Sequence, residues 1–433
     1  MKKVRMKQSL SVVMISLLAF SSPEGTAHGE SKIKINADAA ILVNADTGKI
    51  VEKHNEDQLL GIASMTKMMT EYLVLEAIDK GEINWTDTYT VSDKVYLLAN
   101  APGLSNVPLR ADQSYTVKEL YEAMVIKSGN GAAIALSEVV AGSEGKFVNR
   151  MNDKANELGL EHYQFVNSSG LSNYDMLGMH PEGTGVNDEN MVSAEDMATL
   201  AYHLIKDYPE VLKTSGASYK YFRKGTAEEY LMKNTNAMLE GRTYAYKGAD
   251  GLKTGTTPFA GSTFTGTAER NDVRYISVIL DAKDEHGLPS SAERFIQTGE
   301  LLDYGFDQVK SVQFNLDDAV EDKILPVKDG KVKEVEMALE KPLEVRMPKD
   351  EVSKTKVTLK LDKLNEDGEI QAPIKKGEKI GELTLEKKEK NEYILDDLEQ
   401  KMVVDVHAAA SVEKANWFVR SARNIGGFFE KLF

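Results

Sequence analysis

The hydrophobic pattern of this 433-residue chain changes period once, near residue 300, and that change limits what it can fold into. From Ala37 to about Tyr304, strand-like runs alternate with helix-like ones. The stretch AAILVNADTGKIV reads as two strands around an Asp46-Thr47-Gly48 turn, and TVKELYEAMVI reads as a helix. Such a mixture predicts one large domain in which helices pack on a sheet. After residue 310 the apolar residues recur every second position, in VKEVEMALE, LEVRMP, KVTLKLD and GELTLE, with turn signals at Asp329-Gly330 and Asp367-Gly368. Period two with regular turns predicts a small all-β sandwich. The composition, 42% hydrophobic and 28% charged, supports real cores for both domains.

The two ends differ from this body. Lys2, Lys3, Arg5 and Lys7 precede a short apolar run, Leu10 to Phe20, and the small residues Gly25-Thr26-Ala27 follow. This is the layout of a cleaved secretory signal over residues 1–27, since a membrane-spanning helix needs roughly 20 apolar residues. The absence of cysteine excludes a lipoprotein anchor, disulfides and thiol catalysis. At the other end, residues 407–433 fit an amphipathic helix. Phe418, Ala422, Ile425, Phe429 and Leu432 share one face, and Lys414, Arg420, Arg423 and Lys431 outnumber Glu413 and Glu430. A cationic, aromatic-rich tail on an acidic chain points to a membrane surface, reached through residues 411–433, rather than to a helix docked on the β domain. The formal net charge of -15 argues against a nucleic-acid partner.

Chemistry is harder to locate, because the pattern SxxK occurs at Ser31, Ser64, Ser143, Ser353 and Ser411. Only Ser64 opens a long apolar helical run, MTKMMTEYLVLEAI, where Lys67 lies one turn on and on the same face. A serine hydroxyl needs an adjacent base to become a nucleophile. A lysine supplies one only if burial or nearby positive charge lowers its pKa, and Met65, Met68 and Met69 could desolvate Lys67. Two further stretches follow. Ser128-Gly129-Asn130 is a polar break between two apolar helical segments, and Lys253-Thr254-Gly255 sits in a strand-like run before a turn near Asn271-Asp272. Taken singly, each motif is an ordinary cap, turn or strand.

Together, SxxK, SxN about 64 residues on and KTG about 125 residues after that resemble the penicillin-recognising serine acyltransferases. With the β-rich second domain and the tail, the whole chain resembles a low-molecular-mass penicillin-binding protein of the D-alanyl-D-alanine carboxypeptidase type. The resemblance implies an α+β catalytic domain over residues 31–305, with an antiparallel sheet and helices on both sides as in β-lactamases and transpeptidases. A β sandwich over 311–402 and the tail helix would follow.

It also implies roles for individual residues. Ser64 would attack the carbonyl between the last two D-alanines of a peptidoglycan stem peptide, and Lys67 would accept its proton. The backbone N–H groups of Ser64 and Thr256 would form the oxyanion hole. Ser128, paired with Lys253, would pass a proton to the leaving D-alanine, and Asn130 would hold the peptide amide and orient Lys67. Thr254 and Thr256 would meet the terminal carboxylate beside Gly255, with Arg294 as an added cation. β-Lactams would be covalent inhibitors, and no metal or other cofactor is implied. The same resemblance places the protein on the outer face of a bacterial cytoplasmic membrane. Where such enzymes often carry a histidine before the glycine of the loop over the site, this chain has Ser169.

A class A β-lactamase shares the three motifs but would need a deacylating glutamate in an ExxLN pattern, and Leu361 stands in its place before Leu364-Asn365. Two alternatives stay open: DD-endopeptidase or transpeptidase activity, and a non-catalytic wall sensor.

Overall fold

The computed structural model describes residues 33–353, 355–362, 364–385, 393–395, 398 and 403–421. The expected signal segment 1–27 and tail residues 422–433 lie outside these.

The first domain is organised by a five-stranded antiparallel sheet. Its strands are β1 (Ala37–Asn44), β2 (Ile50–His54), β3 (Ala249–Thr257), β4 (Gly261–Arg270) and β5 (Val273–Ala282), in the spatial order β3-β4-β5-β1-β2. The β1–β2 hairpin turns where Asn44 Oδ1 accepts hydrogen bonds from the backbone of Asp46 and Thr47. The β4–β5 hairpin closes through Asn271 and Asp272, both at positive φ (52° and 57°), which is the turn whose twist suits two antiparallel strands.

β1 is apolar on both sides because both sheet faces are covered. Ala39, Ile41 and Val43 face a core shared with α1 (Lys67–Asp79), α2 (Val117–Lys127), α3 (Asn130–Ala141), α4 (Glu144–Glu157) and α5 (Ala194–Asp207). Ala40 and Leu42 face the opposite way, against Phe295, Leu301 and Leu302 of α6 (Glu293–Gln308). α1 is buried from Lys67 through Leu75, so it is apolar nearly all round and runs through the middle of the domain. This is the α+β layout with an antiparallel sheet between helices that the sequence implies.

α6 leads straight into the second domain. A two-stranded sheet (Val309–Phe314 with Leu343–Pro348) and a six-stranded sheet share one core. The larger sheet runs Val357–Leu361, Lys379–Leu385, Val403–Ala408, Glu334–Leu339, Ile324–Lys328, Ile370–Gln371. The alternation read from the sequence is the in-out alternation of these strands, with Leu325, Val327, Val335 and Met337 pointing inward.

Two boundaries differ from the sequence reading. Residues 407–415 are not the start of a helix: Val403–Ala408 is an interior strand of the six-stranded sheet, and Val412 and Ala415 are buried. The helical segment begins at residue 417. Pairing on both sides of a strand outweighs the helix propensity of the alanine run that follows it. The connection between Lys379–Leu385 and Val403–Ala408 also does not stay within the β domain. Tyr393, Ile394 and Leu398 are buried in the core of the first domain, where the Ile394 N–H donates to the Gly48 carbonyl at 3.0 Å. Substituting Ile394→Ala is expected to lower unfolding free energy by about 2–4 kcal/mol, measured by equilibrium urea denaturation.

Candidate active site

Ser64 lies in a 3-10 turn, Ala63–Thr66, immediately before α1, which itself starts at Lys67. The turn enters through Ala63 at φ 46°, a left-handed conformation that alanine adopts only when neighbours hold it. Here Thr66 Oγ1 donates to the Ala63 carbonyl at 2.7 Å, and the Met65 N–H donates to the Ile62 carbonyl at 3.1 Å. One residue later in the helix, Lys67 is 1% exposed, beneath the fully buried Met65, Met68 and Met69. Its Nζ lies 3.0 Å from Ser64 Oγ and 2.7 Å from Asn130 Oδ1, and donates to the Ser169 carbonyl. None of these partners is an anion. Burial, assisted by the positive charge of Lys253, holds the Lys67 amine well below the usual lysine range.

The second stretch is the junction of two helices. Ser128 ends α2 in the left-handed region at φ 60°, and Asn130 opens α3 with its N–H donating to the Ser105 carbonyl at 3.0 Å. Ser128 Oγ is buried and makes no hydrogen bond among the described residues. The expected Ser128–Lys253 pairing is therefore not present, because the Lys253 amine turns back onto its own strand and donates to the Thr254 carbonyl at 2.9 Å.

The third stretch is on β3, the edge strand of the sheet. Lys253 is buried, and burial together with the Arg294 charge pushes it down to about 7, opposed by the carboxylate of Glu71. Thr254 Oγ1 donates to Thr235 Oγ1 at 2.8 Å, while Thr256 is exposed. Arg294 reaches across from the start of α6, and its Nη1 donates to the Gly255 carbonyl at 2.7 Å and to Thr256 Oγ1 at 2.8 Å. Desolvation lowers its guanidinium to about 10. Gly255 is required by contact: a Cβ there would sit 2.4 Å from the Ile62 carbonyl oxygen, so only glycine lets β3 lie against the turn that carries Ser64.

A loop that no motif marks completes the site. The carbonyl of Ser169, not its side chain, meets Lys67; Ser169 Oγ is 3.3 Å from Asn167 Oδ1. The loop is fixed by Asn190, whose Oδ1 accepts from the Val166 and Asn167 N–H groups and whose Nδ2 donates to Thr66 Oγ1 at 2.7 Å. Glu144 accepts from the Ser168 N–H and hydroxyl. His180 contacts Pro181 and Thr184 of its own loop and takes no part. These groups act through carbonyls and long-range amide bonds, which leave no spacing to read. Glu71 is different: a lone acid inside the apolar helical run MTKMMTEYL is a signal that the sequence itself carries.

A buried amine beside a half-exposed serine hydroxyl, with a second amine and a guanidinium beyond, can move a proton off the hydroxyl and receive an anion. Comparison with known proteins identifies the scaffold that carries it. Residues 26–284 match the family described as D-alanyl-D-alanine carboxypeptidase, and residues 312–414 match the C-terminal domain of penicillin-binding protein 5. The chain belongs to the D-alanyl-D-alanine carboxypeptidase family. It is 33% identical over 390 residues to the D-alanyl-D-alanine carboxypeptidase DacF of Bacillus subtilis, covering 88% of this chain and 91% of that protein. Among solved structures it is similar to a peptidoglycan synthesis regulatory factor (PBP3) from Streptococcus pneumoniae, at TM-score 0.68 and 33% identity over 88% of this chain and all (100%) of that one. It is also similar to penicillin-binding protein D2 from Listeria monocytogenes in its cefotaxime-bound form, at TM-score 0.54 and 30% identity over 64% of this chain and 100% of that chain.

For a member of this family, the joint between the Ser64 turn and the Ser169 loop is the tightest place in the site. Gly170 has φ 75°, and a Cβ on it would lie 1.9 Å from the Ala63 carbonyl oxygen. Gly170→Ala is expected to destabilise the protein by about 2 kcal/mol or more and to slow covalent labelling by penicillin, read from thermal melts and labelling time courses.

Proposed function

We propose that this chain is a serine-type D-alanyl-D-alanine carboxypeptidase, which removes the terminal D-alanine from peptidoglycan stem pentapeptides and is acylated by β-lactams. The observation that carries the reading is the environment of Lys67. A neutral amine has two N–H bonds and one lone pair. Asn130 Oδ1 and the Ser169 carbonyl accept the two N–H bonds, so the lone pair faces Ser64 Oγ at 3.0 Å.

Lys67 takes the hydroxyl proton as Ser64 Oγ bonds to the penultimate carbonyl carbon. The terminal carboxylate is met by the Lys253 and Arg294 charges and by Thr254 and Thr256 on the edge strand, whose backbone can also pair with an extended peptide. As the tetrahedral intermediate collapses, the C–N bond breaks and the proton that Lys67 gained passes through Ser128 Oγ to the departing D-alanine amine, which returns Lys67 to its neutral form. Water then attacks the Ser64 ester, with Lys67 again as base, and frees the shortened peptide. In a β-lactam the same attack opens the ring, but the amine stays tethered and does not leave.

The export signal and tail support a location on the outer face of the cytoplasmic membrane. Because Val412 and Ala415 are buried, the anchor proposed here takes in residues 417–433 rather than 411–433. Trp417 and Phe418 are 71% and 68% exposed, which is what a membrane-facing start of the tail requires.

Incubation with a pentapeptide ending in D-alanyl-D-alanine is expected to give loss of one alanine by mass spectrometry. Ser64→Ala should reduce this by at least about 10³-fold and abolish penicillin labelling with the fold intact; a mutant that still labels overturns the assignment. The pH profile of kcat/KM should fall on the acid side as Lys67 gains a proton. It should fall on the alkaline side as Lys253, held near 7 in the free enzyme, loses one. Truncation after Asn416 should leave activity unchanged and release the protein from anionic vesicles in a flotation assay.

A further inference from the structure

Two cationic side chains, Lys253 and Arg294, converge behind the edge strand beside the neutral Lys67 amine, and Lys253 is buried. Every hydrogen bond the two make among the described residues goes to a neutral oxygen: Thr254 for Lys253, and Gly255, Thr256 and Thr263 for Arg294. Charges removed from water without a counter-ion are strongly unfavourable. The substrate carboxylate balances them only once it is bound.

Glu71 stands one turn beyond Lys67 on α1 and is 4% exposed. Among the described residues no lysine or arginine is hydrogen-bonded to it; its Oε1 instead accepts from the Tyr121 hydroxyl of α2 at 2.6 Å. α1 packs against β3, and the Glu71 carboxylate and Lys253 act on one another across that contact, each favouring the charged form of the other. Of the other titratable groups along α1, Asp79 is exposed at the far end of the helix and two more are engaged elsewhere. Tyr72 donates to Asp207 of α5, and Glu76 pairs with Lys154 of α4 and with Lys80. From α3 the side chain that approaches is the neutral Asn130, while Glu138 accepts from Tyr89. Tyr121 also lines a cavity of about 490 Å³ whose charged groups are Lys118, Glu122, Glu210, Lys213 and Lys220.

We propose that Glu71 is a positioning residue of the active site: a buried counter-charge, held by the Tyr121 hydroxyl, that keeps the Lys253 ammonium protonated and ready to receive the substrate carboxylate. The proposal rests on the carboxypeptidase reading for what Lys253 does, but not for how it titrates. Burial pushes Glu71 up to about 7, against the Tyr121 hydrogen bond and the Lys253 charge that favour its ionised form. Glu71 and Lys253 therefore gain and lose charge over the same range of pH. Without the carboxylate, Lys253 is left with burial and the Arg294 charge, both of which favour its neutral form, and it gives up its proton at lower pH.

The test pairs Glu71→Gln, in which the amide oxygen still accepts from Tyr121, with Tyr121→Phe. In Glu71→Gln the alkaline limb of kcat/KM for D-alanine release is expected to move to lower pH by about half a unit to one unit, lowering the rate above the limb about three- to tenfold. Tyr121→Phe should move it the same way by less, since a carboxylate that loses its donor is less ionised near neutrality. A Glu71→Gln profile that superimposes on wild type, or a limb displaced to higher pH, overturns the proposal. If Glu71→Gln does not fold, Tyr121→Phe decides by the same criteria. A second readout, titration of Lys253 by NMR of ¹³C-lysine protein, is independent of turnover. Should wild type release no D-alanine, the carboxypeptidase reading fails by itself. A lower Lys253 titration point in Glu71→Gln then still supports the counter-charge, and an unchanged one refutes it.

Discussion

A lysine amine taken out of water must find an anion or give up its proton, and Lys67 finds no anion. Its neighbours are a carboxamide oxygen, a backbone carbonyl and a hydroxyl, set among methionine side chains. Those contacts satisfy the neutral amine and disfavour the ammonium, so the packing that stabilises α1 in the domain centre also prepares a base. Stability and chemistry use the same atoms here.

The constraint spreads outward from that amine. Each partner comes from a different part of the chain, and each must be brought within hydrogen-bond distance by something else. Asn130 is placed by the break between α2 and α3, which needs Ser128 in a left-handed conformation. The Ser169 carbonyl is placed by Asn190, which grips both the loop and the turn before α1. The edge strand comes up to the same turn because Gly255 has no side chain to hold it away. Three segments far apart in sequence thus meet around one nitrogen, and the edge strand of the sheet closes against the turn that carries Ser64.

Much of this was legible in the residues. The KTG strand, both hairpin turns, the helix break at Ser128 and the change of period after residue 300 follow from local rules, because each depends on neighbours in sequence. What could not be read depends on partners far away. The Ser169 carbonyl is a backbone atom that any residue could supply. Asn190 is one asparagine among many until its four hydrogen bonds are seen. Residues 407 and 408 fall within the amphipathic tail that the sequence predicts, and only the two strand neighbours of Val403–Ala408 make it an interior strand. The family resemblance implies Arg294, but its contact with Gly255 and Thr256 is a property of the folded sheet.

The segment bearing Tyr393, Ile394 and Leu398 makes the two domains less separable than their sequence patterns imply. These residues leave the β domain between two of its strands and fill part of the core of the other, with Leu398 against Gly48 and Ile394 bonded to its carbonyl. A catalytic fragment cut at the end of α6 would lack a piece of its own interior. It would show a greasy slot on its surface in place of a finished core, so a shortened enzyme for crystallisation or inhibitor screening should keep the second domain or fill that slot by design.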